Sequence, residues 1–194
     1  MNTKLILLYA LIIFTGYLIG KSIYFYKKNK VNPAAFLTAG NTKERILWSG
    51  LLIIFFLFAT LMIVNAFSAG IGFPIVKENG IMDIAGIFLV IIGILVMGLA
   101  QYQMGTDWRM GNDEQGNIHL VHKGIFKRSR NPIYMSIVVL SLGIVVLLNS
   151  IPAGILWLGV IILFNEIIKT EEKFLTKKFG QAYIKYKQQV RRFI

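Results

Sequence analysis

The sequence predicts an all-α integral membrane protein with five transmembrane helices, the last two forming a helical hairpin. It also predicts a cytosolic amphipathic C-terminal helix and no Rossmann fold. Three observations carry this expectation. Of 194 residues, 56% are hydrophobic and only 15% charged, against roughly a half and a quarter in an average soluble domain. The apolar residues are gathered into blocks of about 20, the length a helix needs to cross a hydrocarbon core of about 30 Å. The basic residues, which give a net charge of +12, flank those blocks instead of forming a separable basic domain. The charge therefore points to anionic headgroups and not to nucleic acid.

The first block runs from Leu5 to Tyr26. Met1-Asn2-Thr3-Lys4 before it imitates a secretory leader, but no small-residue cleavage site followed by a polar region appears, so a first spanning helix is expected. Ile46–Phe67 and Ile81–Gln103 are the second and third blocks, with Asp83 placed as a helix N-terminal charge. The fourth, Ile133–Leu148, is short, and only Asn149-Ser150 separates it from the fifth, Ile151–Ile168. So brief a break makes the two an antiparallel hairpin, and Pro152 suits the first turn of the returning helix. From Lys169 the apolar positions Phe174, Leu175, Phe179, Tyr183 and Tyr186 recur among lysines, the pattern of an amphipathic helix. Gly180 interrupts or bends it. That helix either rests on anionic headgroups or forms a lid over a site. Residues 1–103 thus supply three spans and residues 104–194 the polar loop, hairpin and tail, in one structural unit.

Orientation follows from the basic residues. Eighteen of the 21 lie in the first loop, the third loop and the tail, all on one side if the number of spans is odd; Lys4 and Lys77 fall on the other. The positive-inside rule then puts the N-terminus outside and the C-terminus in the cytoplasm. The chain has no cysteine, which excludes disulfides, thiolate metal sites and a cysteine nucleophile.

The polar residues that flank the hairpin are the candidates for function, because polar groups at a bilayer boundary are costly to hold there. The loop between about Met104 and Asn131 begins hydrophilic, turns at Asp113-Glu114-Gln115-Gly116-Asn117, and continues as Ile118-His119-Leu120-Val121-His122-Lys123-Gly124-Ile125-Phe126. Gly124 marks a close backbone approach, and Pro132 opens the fourth span where a missing N–H costs nothing. Gly124-Ile125-Phe126, Arg130-Asn131-Pro132-Ile133-Tyr134, Glu171-Glu172 and Phe179-Gly180-Gln181-Ala182-Tyr183-Ile184-Lys185-Tyr186 follow in order around the hairpin.

This series resembles the C-terminal signature of the isoprenylcysteine carboxyl methyltransferase family, part of a wider group that includes phospholipid N-methyltransferases. It covers roughly the last 75 residues of the chain. Each piece alone is weak; in this order and around such a hairpin they are specific. Two departures stand out: Asn131 replaces the usual histidine, and Met135-Ser136 replaces a usual small pair. Asparagine donates and accepts hydrogen bonds but does not titrate, so a positional role is expected there.

The resemblance implies S-adenosylmethionine as methyl donor, held without a Rossmann fold, and no glycine-rich strand-turn-helix fingerprint occurs in the sequence. It implies a cofactor pocket formed by Ile118, His119, Leu120, Val121, His122, Gly124, Phe126, Asn131, Pro132, Tyr134, Glu171 and Glu172. Glu171 is the expected cofactor ligand, and Glu172 its partner or a helix-surface group. Arg130 is expected to meet an anionic group of cofactor or substrate, or to anchor to headgroups. With Glu171 it makes up the expected catalytic pair. Asn165 and Glu166, at the inner end of the fifth span, are candidates to position substrate. His119 and His122 lack further ligands of metal-binding spacing, so no metal is expected.

A lipophilic acceptor would enter from the bilayer and the polar donor from the cytosol. The expected reaction is carboxyl O-methylation of an isoprenylcysteine-like acceptor. Methylation of a phospholipid amine is the alternative, and a non-enzymatic membrane scaffold the rival outside catalysis. Sterol reductases share a related C-terminal pattern but need more spans than this chain supplies.

Overall fold

The computed structural model describes residues 41–67, 80–108, 111 and 118–193, with a few isolated positions before residue 41. Most of the expected first span and the turn at Asp113–Asn117 lie outside the described residues. Among the described residues the regular elements are helices: α1 (Thr42–Phe67), α2 (Gly80–Met104), α3 (Pro132–Leu148), α4 (Ile151–Phe179) and α5 (Gln181–Gln189), with short 3-10 turns at Gly105–Asp107 and Gly124–Lys127.

Helix α1 starts four residues before the apolar block because its end is capped. Asn41 Oδ1 accepts the Glu44 backbone N–H at 2.9 Å, and the Asn41 carbonyl accepts that of Arg45 at 3.0 Å. This side-chain cap satisfies one of the orphan donors of the first turn. Helix α3 begins on Pro132, as a first-turn proline allows. It ends where Asn149 takes the left-handed conformation (φ 46°) and donates to the Val145 carbonyl. Two residues later, at Ile151, α4 begins, with Pro152 in its first turn. The expected hairpin is therefore present, with its turn at Asn149-Ser150 as expected.

The tail differs from expectation. The helix of the fifth span does not stop at Ile168 but runs on to Phe179, 29 residues in all. Nothing between Lys169 and Phe179 breaks a helix: the run lacks glycine and proline, and lysines and glutamates propagate helix well. The break comes at Gly180, whose φ of +52° and ψ of −127° suit only glycine. The amphipathic stretch is thus the polar extension of a spanning helix, followed by the separate nine-residue α5.

The helices pack in the order α1–α4–α3–α2. Between α2 and α3 the approach is closest where glycines face each other. A Cβ on Gly143 would lie 2.7 Å from the Gly86 carbonyl oxygen, and one on Gly93 would lie 2.9 Å from Leu140 backbone. Small residues let helix backbones meet in this way in lipid, where dispersion contacts and not water exclusion hold helices together. The core is continuous across the remaining contacts, with Trp48, Leu51, Phe58 and Met62 of α1 joined to Val160, Phe164 and Ile167 of α4 and Ile144, Leu147 and Leu148 of α3. Outward rows stay apolar: Ile53 and Phe56 on α1, Ile84, Phe88 and Leu95 on α2, Ile155 and Ile162 on α4.

Helices α1, α2 and α4 are each long and apolar enough to cross a membrane, and α3 is a shorter apolar helix of 17 residues. The outward apolar rows are the surface an acyl environment accepts, so the chain is an integral membrane protein.

Candidate functional site

The start of α1, the end of α2, the start of α3 and the polar end of α4 meet at one end of the bundle. Lys43 Nζ lies 3.1 Å from Glu166 Oε2, Gln103 Oε1 accepts the Ile125 N–H at 2.7 Å, and Arg130 reaches Glu172 at 2.9 Å. Two groups of polar side chains form there, divided by the neighbouring residues Glu171 and Glu172. Successive helical residues point about 100° apart, which sends the two carboxylates into different surroundings.

Glu171 faces a small recess of about 10 Å³, lined by Glu44, Leu47, Trp48, Gly111, Tyr134, Ile167, Thr170 and Glu171 itself. The Tyr134 hydroxyl donates to Glu171 Oε2 at 2.7 Å, and its ring packs on Phe164 with centroids 5.0 Å apart. Burial raises the Glu171 carboxyl above the ordinary glutamate range; the Tyr134 hydrogen bond opposes the rise, and the negative charges of Glu44 and Glu172 add to it. A positive group entering the recess would stabilise the ionised carboxylate and relieve that penalty.

Glu172 turns into a clamp. Arg130 Nη2 donates to its Oε1 at 2.9 Å, and Arg192 grips both oxygens, at 3.2 Å and 3.0 Å. Lys187 Nζ adds a third cation at 3.1 Å. The Arg130 and Glu172 side chains are only 9% and 7% exposed. Burial opposes ionisation of Glu172, but the hydrogen bonds from Arg192, Arg130 and Lys187 outweigh it and hold the carboxyl at about 2.

The clamp fastens the C-terminal segment. Arg130 Nη1 donates to the Lys187 carbonyl at 2.9 Å and also to that of Val190; its backbone N–H donates to Arg191 at 3.0 Å. Asn131 Nδ2 donates to the Arg192 carbonyl at 3.0 Å, and the Tyr186 hydroxyl to the Phe126 carbonyl at 2.7 Å.

The remaining expected residues distribute around these groups. Gly124 (φ +61°) lies against Gln103, whose Oε1 would be 2.1 Å from a Cβ. The close approach at this glycine is thus to a side chain of α2. Pro132 and Phe126 are buried beneath the loop. His119 donates its backbone N–H to Asp107 Oδ1 at 2.9 Å, with its own side chain 75% exposed. The loop places Ile118, Leu120 and Val121 half-buried, and His122 Nδ1 lies 3.0 Å from the Leu120 carbonyl oxygen.

Asn165 accepts from Arg192 at 3.3 Å, while Glu166 pairs with Lys43 and Lys169 on the outer surface. Neither lines the recess. Among the described residues no cluster of three metal-ligating side chains forms.

Sequence reasoning missed Glu44, Trp48 and Arg192. The Asn41-x-x-Glu44 spacing was a visible signal, since a polar cap followed three residues later by glutamate marks a helix start. Trp48 is one aromatic residue among many in an apolar block. No local pattern ties Arg192 to a glutamate 20 residues before it.

Comparison with known proteins places this geometry in context. A family model described as phospholipid methyltransferase matches residues 81–182, which include α2, the hairpin, Glu171 and Glu172. Two curated rice proteins, from Oryza sativa subsp. indica and subsp. japonica, are each 29% identical to the chain over 123 residues. The match takes in 61% of this chain and 63% of each relative's length, and both carry the name "Probable protein-S-isoprenylcysteine O-methyltransferase".

Proposed function

The chain belongs to the phospholipid methyltransferase family, and from that premise we propose that it transfers a methyl group from S-adenosylmethionine to the carboxylate of a lipophilic, isoprenylcysteine-like acceptor. The observation that carries the donor assignment is the recess where Tyr134 and Glu171 meet, an acidic and aromatic lining suited to a positively charged group. The names of the rice relatives support the acceptor.

Bound S-adenosylmethionine supplies a methyl group on an already activated sulfonium, so a carboxylate acceptor needs no general base. What remains for the protein is alignment and the exclusion of water. Glu171 offers a carboxylate to the donor's positive end, and Tyr134 fixes that carboxylate's orientation by donating to it. Ile167, Leu47 and Trp48 supply apolar and aromatic wall. Arg130 and Glu172 hold the C-terminal segment beside the hairpin, so Arg130 acts here as a positioning residue. The recess has a volume of about 10 Å³, room for about one water, so only the positive end of the donor is proposed to lie against it. The loop residues Ile118 to His122 are the proposed contacts for the rest.

A second reading has its own observation. Two carboxylates, Glu44 and Glu171, line the same recess, which suits an ammonium-bearing acceptor better than an anionic one and favours a phospholipid amine. The deciding experiment has two parts. Calorimetry on the detergent-purified protein should give micromolar binding of S-adenosylmethionine that Glu171→Ala abolishes; absence of binding by folded wild type rejects the donor assignment. Labelled methyl transfer to a farnesylcysteine analogue, compared with transfer to phosphatidylethanolamine, then chooses the acceptor.

A further inference from the structure

The tail has two expected roles, a lid over a site or a helix resting on anionic headgroups, and its path favours the second. Helix α4 is 29 residues long, about 43 Å against a hydrocarbon core of about 30 Å, so its polar end projects past the bilayer boundary. After Gly180 the chain turns back. The Arg130 N–H donates to the Arg191 carbonyl at 3.0 Å, and Asn131 Nδ2 to that of Arg192 at 3.0 Å, where α3 begins on Pro132. Arg192 Nη1 donates to Asn165 Oδ1, near the end of the apolar stretch of α4, at 3.3 Å. The last residues are thus held at the level where two apolar helices start and stop. On the way, α5 buries Tyr183 and Tyr186, so its apolar face is used inside the protein.

What this return leaves outward is basic. Lys127 and Arg128 lie between two attachments to the tail: the Tyr186 hydroxyl on the Phe126 carbonyl at 2.7 Å, and Ser129 Oγ on the Arg192 carbonyl at 3.3 Å. Lys127, Arg128 and Arg191 are exposed, and none has an ion-pair partner among the described residues. Residues 173–194 hold seven lysines and arginines and no carboxylate side chain, and residues 118–130 hold four and none. Glu172, the nearest carboxylate, is already surrounded by Arg130, Arg192 and Lys187. Phe193 stands 41% exposed beside these cations, and aromatic rings settle at the headgroup level of a bilayer.

We propose that the Gly124–Lys127 turn and the returning tail form a docking surface for anionic phospholipid headgroups, built by Lys127, Arg128 and Arg191 with Phe193 as its aromatic anchor. Exposed cations at headgroup depth attract anionic lipid, and an aromatic ring among them anchors the segment at the interface. The surface follows from the path and charge of the tail and does not depend on the methyltransferase reading.

The test uses the full chain in phosphatidylcholine vesicles carrying a trace of spin-labelled phosphatidylglycerol or spin-labelled phosphatidylcholine. Electron paramagnetic resonance reads the protein-associated fraction of each. Wild type should favour the anionic lipid about fivefold, the scale of one basic residue acting on one headgroup. Lys127→Gln/Arg128→Gln/Arg191→Gln should remove most of that preference. Lys173→Gln/Lys177→Gln/Lys178→Gln, which takes equal charge from the projecting part of α4, should keep most of it. No preference in wild type, or equal losses in both variants, overturns the proposal. Binding of poly-glutamate by a wild type that ignores anionic lipid overturns it too and assigns the surface to an acidic protein.

Two measurements keep the charges in place, should the first variant not fold. Raising salt on wild type should weaken the preference, because exposed charges are screened; a salt-independent preference rejects a charged surface. Since the chain has no cysteine, a nitroxide on Phe193→Cys reports depth. It should meet dissolved oxygen more, and a water-soluble nickel chelate less, than the same label on Lys178→Cys. Equal, water-like exposure at both sites rejects the return to the bilayer and the proposal with it.

Discussion

Glu171 and Glu172 are adjacent in sequence and opposite in circumstance. One is raised by burial beside a tyrosine; the other is held at about 2 against burial by two arginines and a lysine. For Glu172 the consequence for stability has a definite sign. Its folded pKa lies below the roughly 4.3 of an unfolded glutamate, so the unfolded chain takes up the proton first as pH falls. The stabilisation by the clamp is complete above that value and disappears as pH drops toward 2. Glu172→Gln should cost about 3 kcal/mol near neutral pH, because it strands the buried Arg130 guanidinium. Thermal unfolding of wild type and variant between pH 5 and about 2 should show that difference closing; a constant difference would remove Glu172 from the clamp. Asn131 fits the same account, since an amide donating to the Arg192 carbonyl needs no titratable proton.

At the scale of elements, contact between α2 and α3 depends on the absence of side chains. Gly143 meets the backbone of Gly86 and Val90 at distances a Cβ cannot tolerate, whereas Gly98 on α2 has open space around it. Gly143→Ala should therefore destabilise by about 2 kcal/mol through forced separation of the two helices. Gly98→Ala should leave stability unchanged or slightly improved, and paired denaturation curves in one detergent distinguish these outcomes. The long α4 shows the complementary rule. Because nothing breaks it before Gly180, a single rigid helix carries Phe164 into the core, Glu171 to the recess and Glu172 to the clamp. A jointed tail would not fix the relative directions of those two carboxylates.

Across the whole molecule, the polar groups gather at the bundle end where the basic loops and tail converge, while the helix sides remain apolar. Under the proposed methyltransferase function, that polarity would let an apolar acceptor approach along the helix sides and a polar donor at the end. The positive-inside count predicts that this end is cytoplasmic. Since the chain has no cysteine, single cysteines report sidedness without background. In intact cells an impermeant maleimide should label Lys77→Cys and spare Lys185→Cys until the membrane is permeabilised. The reverse pattern would invert the orientation.

By itself the sequence determined the membrane character, the hairpin at Asn149-Ser150 and the order of the motifs around it. Helix positions from α1 to the start of α4 followed within a few residues. These features are local: they depend on runs of apolar residues, on prolines in first turns and on glycine at a positive φ, and each is written in consecutive positions. The tertiary structure decided the division of labour between Glu171 and Glu172, the commitment of Arg130 to the C-terminal segment, and the presence of Glu44 in the recess. Those outcomes depend on which helix lies beside which, and on which side of α4 faces each neighbour. Hydrophobic patterning identifies a buried position but carries no record of its partner, so a carboxylate between two basic residues reads as surface until packing turns it inward.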